Sequence, residues 1–96
     1  MRTLVGLLKD REPRVRAAAA KAIGDLGDWP SAGTLDTLLQ DPFWDVRREA
    51  GMALHALGGP GHLLLCSSLS DPNPDAVDTA RLVLHLPDPA EPAAKS

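Results

Sequence analysis

Ninety-six residues with a formal net charge of −3, 44% hydrophobic and 24% charged, allow one small domain of ordinary globular balance. There is no apolar run of the roughly 18 residues a membrane helix needs, and no basic segment followed by an apolar one opens the chain. One cysteine, Cys66, excludes an internal disulfide and a thiolate metal framework and fits a reducing, cytoplasmic setting, while the negative charge and three aromatic residues (Trp29, Phe43, Trp44) disfavour nucleic acid as a partner.

The first predicted element is a helix with Leu4, Leu7 and Leu8 on one stripe. A second helix starts at Pro13, which a first turn tolerates, and carries Val15, Ala18, Ala19, Ala22, Ile23 and Leu26 at helical period. Gly27 ends it. Pro30 opens a third helix with Leu35, Leu38 and Leu39. The fourth begins at Pro42, carries Val46, Ala50, Ala53, Leu54 and Leu57, and stops at Gly58-Gly59. Pro60 opens the fifth, with Leu65 and Leu69; Pro74 opens the sixth, with Ala76, Ala80, Val83 and Leu84. Gly58 to Gly61 has neither a phosphate-binding lysine nor a preceding strand, and reads as a turn between hairpins. No strand signal interrupts the series.

The helices repeat in pairs. Residues 7–27 laid over 38–58 match at Leu7/Leu38, Leu8/Leu39, Asp10/Asp41, Val15/Val46, Arg16/Arg47, Ala19/Ala50, Ala22/Ala53, Leu26/Leu57 and Gly27/Gly58. A third copy follows at an offset of 30, with Leu39/Leu69, Asp41/Asp71, Pro42/Pro72, Asp45/Asp75, Ala50/Ala80, Leu54/Leu84 and His55/His85. One hairpin cannot bury its stripe alone, so the copies must stack. The expected fold is all-α: a solenoid of three antiparallel hairpins, spanning 1–28, 29–58 and 59–86, with a Pro-rich disordered tail over 87–96.

The pattern Asp-x-x-x-x-Val-Arg followed by Ala-Ala-x-Ala, ending Leu-Gly, stands at Asp10–Gly27 and loosely at Asp41–Gly58. It resembles the HEAT repeat, and the short 30–31-residue spacing resembles the phycobilisome-lyase type in particular. The resemblance implies a right-handed α–α superhelix whose second (B) helices line the concave side. In most relatives it implies a protein-interaction scaffold; in others it implies a bilin-lyase subunit, an iron-binding hydroxylase or a DNA glycosylase. It also implies a structural ladder of turn aspartate and helix arginine: Asp10 with Arg16, and Asp41 with Arg47. The third copy keeps Asp71 but has Val77 at the arginine position and Pro87 in place of Leu57, so it is expected to cap the stack. The first helix opens at Met1 without a capping residue, so the chain also fits as a piece of a longer array.

Repetition assigns the Asp and Arg columns to architecture, because catalysis needs one site and not the same contact in every copy. His55 and His85 share a column on adjacent B helices about 8–10 Å apart, too far for one metal ion. His62 lies away from that column, and no His is followed by Glu as in the iron-binding relatives. Cys66 is expected to be a partly buried bystander, and Ser67, Ser68 and Ser70 belong to no nucleophile elbow. No catalytic, metal or cofactor site is therefore expected.

At 100° per residue the outward B-helix columns are Ala17/Arg48/Asp78, Ala20/Gly51/Arg81, Lys21/Met52/Leu82 and Gly24/His55/His85. The expected partner-binding set is Lys21, Arg48, Met52, His55, Arg81, Leu82 and His85, where exposed Met and Leu beside Arg suit a protein or peptide. Trp29, Phe43 and Trp44 sit at hairpin corners and are expected to seal the repeats, with Trp44 the one expected to be half exposed. Residues 1–30 carry six basic and four acidic side chains, and residues 61–96 two and five. That asymmetry leaves end-to-end self-association open.

Overall fold

A computed structural model describes residues 4–85, with side chains from residue 6 onward. The tail expected over 87–96 and the place of Leu4 in the first stripe lie outside the described residues. The chain forms α1 (Leu4–Leu7), α2 (Pro13–Leu26), α3 (Ala32–Thr37), α4 (Trp44–Ala56), α5 (Gly59–Ser68) and α6 (Pro74–Leu84). Among the described residues there is no strand. Helices α1, α3 and α5 are the A helices of successive repeats, and α2, α4 and α6 the B helices.

Local chemistry sets the boundaries. Pro13 and Pro74 begin their helices, but α4 starts at Trp44, two residues after Pro42. The repeat offsets align Trp44 with Pro13 and Pro74, and Pro42 with Pro72 of the preceding turn. In each A–B turn the aspartate Oδ1 accepts a backbone N–H two residues on: Glu12 at 2.8 Å, Phe43 at 2.9 Å and Asn73 at 2.8 Å. That side-chain turn commits the chain to reverse direction. Gly27 closes α2 in the left-handed conformation at φ 69°, with Asp28 N–H bonding Ile23 O and Gly27 N–H bonding Gly24 O. Gly58, at φ 80°, precedes α5, and Gly59 to Gly61 are already helical rather than part of a turn. The second A helix is interrupted: α3 is flanked by single 3₁₀ turns at Trp29–Ser31 and Leu38–Gln40.

Leu8, Ile23, Leu35, Leu39, Val46, Leu54, Leu65 and Val83 are fully buried and form one core between the A and B layers. Each such side chain contributes about 2 kcal/mol by leaving water. The most extensive contact is between α2 and α4, with α6 stacked on the other side of α4. Small residues permit it: a Cβ on Gly24 would lie 2.8 Å from Ala53 Cα, and one on Gly51 would lie 2.8 Å from Val83 Cγ2.

This stacking corrects part of the expected core stripe. Ala20, Gly24 and Gly51 are buried because they face the next B helix, whereas Ala18 and Leu26 are exposed on the other flank of α2. Val15 and Ala22 are half-buried there. Leu69, at the end of α5, is exposed as well.

Candidate functional site

Two features lie on this frame: a polar ladder through the turns and an open face on the B helices. Arg16 donates Nε–H to Asp41 Oδ2 at 2.8 Å and Nη2–H to Asp41 Oδ1 at 3.2 Å, and its Nη1 reaches the backbone oxygens of Asp10 and Arg11. The arginine thus binds the carbonyl of its own turn's aspartate and the carboxylate of the next. Arg47 repeats the first half, bonding Asp41 O at 2.7 Å, but reaches only Asp75, at 3.9 Å. The corresponding carboxylate, Asp71, accepts from Gln40 Nε2 instead. Between the A helices, Ser68 Oγ donates to Asp36 Oδ1 at 3.1 Å.

The open face consists of the B-helix positions turned neither to the A layer nor to a neighbouring B helix. On α2 these are Arg14, Lys21 and Asp25, with Ala17 between them half-buried against the core; on α4, Asp45, Arg48, Met52 and Ala56; on α6, Asp75, Asp78 and Leu82. Met52 is 39% exposed and Leu82 50%. They occupy equivalent positions one repeat apart. Lys21 pairs with Asp25 at 3.1 Å and Arg48 with Glu49 at 2.9 Å, both at the surface. Two clefts lie end to end between α2 and α4 and share Glu49. One, of about 300 Å³, is lined by Pro13, Arg14, Ala17, Phe43, Asp45 and Arg48; the other, of about 240 Å³, by Lys21, Gly24, Asp25, Met52, Ala53 and Ala56. In the second, Gly24 and Ala53 keep the floor low.

Three of the expected partner-binding positions do not lie on this face. His55 is buried, at 6% exposure, where α5 packs on α4. Its Nδ1 shares a hydrogen bond with His62 Nε2 at 3.1 Å, with ring centroids 5.1 Å apart. His62 therefore meets the column from which its sequence position had separated it, since the α4–α5 turn folds it back. By the same register Arg81 and His85 are exposed on the flank of α6 away from α4, with His85 Nδ1 2.7 Å from Arg81 O. Lys21, Arg48, Met52 and Leu82 are exposed, with Lys21 and Met52 lining one cleft and Arg48 the other.

The aromatic corners are not seals. Trp29 is 61%, Phe43 52% and Trp44 44% exposed. The guanidinium groups of Arg16 and Arg47 lie over the rings of Phe43 and Trp44, 5.9 and 5.7 Å from their centroids. Phe43 thereby joins the upper cleft, a role sequence reasoning missed although its place beside the Asp41 turn hinted at it. Cys66 is exposed on α5 rather than partly buried. Among the described residues no three side chains gather as a metal site, and no helix is long and apolar enough to cross a membrane.

Stacked antiparallel hairpins, joined by an Arg–Asp contact from one repeat to the next, define an all-α solenoid of helical repeats. The family model for HEAT repeats matches residues 1–85, and the chain belongs to the HEAT-repeat family. The match is to HEAT repeats in general and does not reach the phycobilisome-lyase type. HEAT repeats commonly serve as protein-interaction scaffolds, and the family is generally non-enzymatic. No curated protein matches the chain.

Proposed function

We propose that this chain is a non-catalytic scaffold or adaptor that docks a partner protein or peptide on the open face of its B helices, around Lys21, Arg48, Met52 and Leu82. The observation that supports this reading is the pair Met52 and Leu82, two exposed apolar side chains one repeat apart, with Met52 at the edge of a cleft lined by Gly24 and Ala53. Met adapts to varied partners, and an arginine beside an apolar anchor is a frequent composition of interface centres. No cofactor enters this reading, and its setting is cytoplasmic.

Nucleic acid is disfavoured, because Asp25, Asp45, Glu49, Asp75 and Asp78 outnumber Arg14, Lys21 and Arg48 around the face. The short repeat spacing, similar to that of the phycobilisome-lyase type, adds no second function. The test is affinity capture from the source lysate with wild type, a Lys21→Glu/Arg48→Glu/Met52→Asp variant and an Arg81→Glu/His85→Ala variant, all of equal helicity by circular dichroism. A protein held by wild type and the second variant but lost by the first supports the face. Loss only with Arg81→Glu/His85→Ala moves the site to the α6 flank and contradicts it.

A further inference from the structure

The flank of α2 turned away from α4 has no B helix beside it among the described residues. Gly24 faces Ala53 of α4, and at about 100° per residue Ala22 points the opposite way. Ala22 is the repeat counterpart of Ala53, so this flank continues the register of the α4 surface that packs on α2. An apolar cleft of about 300 Å³ lies on it, lined by Leu7, Arg14, Val15, Ala18 and Ala19. One helical turn beyond Ala22, Leu26 stands 71% exposed on the same flank. The other end of the stack differs, because Arg81 occupies the position that Ala20 and Gly51 hold in the two joints, and the outer flank of α6 offers no close approach.

We propose that this flank is the interface of a two-fold homodimer, in which α2 packs antiparallel on α2 of a second copy. The order of residues along the flank selects that occupant. A two-fold axis midway between Ala18 and Ala22 sets Ala18 level with the second copy's Ala22, Val15 with its Asp25 and Arg14 with its Leu26. Alanines at the crossing permit the close approach that Gly24 and Ala53 give α2 and α4. A helical side chain leans towards its own N-terminus, which carries each Leu26 from the level of Arg14 towards that of Ala18, into the other copy's cleft. Val15 and Leu26 lie on the A-layer side of this flank, and Arg14 and Asp25 on the open-face side. The two-fold keeps each side on itself, so apolar meets apolar while Arg14 comes beside the Asp25 carboxylate, which accepts from Lys21 at 3.1 Å. Both contacts form twice. The 14 residues of α2 span about 21 Å, and with α1 beside it the patch falls below the roughly 800 Å² per partner of a tight complex, so the dimer is half-formed only at tens of micromolar. This contact is separate from the docking surface around Met52 and Leu82.

Analytical ultracentrifugation of the full chain from about 1 μM to about 0.5 mM tests this. The expected result is a rise from monomer to dimer. Leu26→Ser and Ala18→Glu, both at exposed positions, should hold the chain monomeric with unchanged helicity by circular dichroism. Arg14→Glu and Asp25→Arg should each weaken self-association about ten-fold, and mixing the two should restore it, because the mixed dimer regains both ion pairs. Arg81→Glu should change nothing. A chain that stays monomeric throughout would overturn the dimer, as would self-association that survives Leu26→Ser and Ala18→Glu. Loss with Arg81→Glu, or growth beyond a dimer, would assign a head-to-tail contact through α6 instead. A dimer abolished by Leu26→Ser but not rescued by mixing the charge swaps would contradict the antiparallel register.

Discussion

Arg16 in the first repeat and Asp41 in the second form a two-pronged ion pair, at 2.8 and 3.2 Å, with side chains only 12% and 6% exposed. The pair spans the joint between repeats while Asp41 Oδ1 also holds the N–H of Phe43, so one carboxylate fixes both a turn and a stack. The second joint lacks this. Arg47 Nε is buried with no hydrogen-bond partner, and Asp71 takes the neutral Gln40. Stacking of α6 on α4 relies more on the apolar fit of Thr79 and Val83 around Gly51.

The two joints should therefore respond unequally to loss of their aspartates. Asp41→Ala leaves a buried guanidinium uncompensated and should cost about 3–5 kcal/mol. Asp71→Ala removes a turn bond and an exposed contact, and should cost about 1 kcal/mol. Urea unfolding followed by circular dichroism measures both. Equal losses would show that the first joint is not held by the ion pair.

Glycine placement gives a second contrast. Gly24→Ala puts a methyl 2.8 Å from Ala53 Cα, so α2 and α4 must separate, at a cost of about 1–3 kcal/mol. Gly33 lies in α3 with nothing within 4 Å of a Cβ, so Gly33→Ala should add about 0.5–1 kcal/mol by restricting the unfolded chain. Thermal midpoints moving in opposite directions are the expected result.

The histidines separate in the same way. His62→Ala removes a hydrogen bond from the buried His55 ring and should destabilise by about 1 kcal/mol. His85→Ala acts at an exposed helix end and should stay within about 0.5 kcal/mol. Denaturant midpoints of the two variants decide it; similar losses would contradict the different environments of the column's two members.

The fold was legible because repetition states it three times: each hairpin's leucines and Asp turn recur at 30 or 31 residues, and Gly ends the first two. Which flank of a B helix faces outward was only half legible. A helical wheel separates core from surface, but a B helix inside a stack has neighbours on two flanks as well as beneath it. Hence the Gly24/His55/His85 column looks polar and outward, yet Gly24 is buried against α4 and His55 where α5 packs on α4. The exposure of Lys21, Met52 and Leu82 was readable because all three turn away from the A layer. The exposure of Trp29 and Phe43 was not, since the packing of a corner side chain is not encoded in helical periodicity.

Docking on the B-helix face is tested most directly by two-dimensional amide NMR of ¹⁵N-labelled protein titrated with a library-selected peptide. Shifts concentrated on α2, α4 and α6 around Lys21, Arg48, Met52 and Leu82 are the expected result. Shifts concentrated on the A-helix side, in the cleft of about 420 Å³ lined by Leu8, Lys9, Pro30, Thr34 and Thr37, would contradict it.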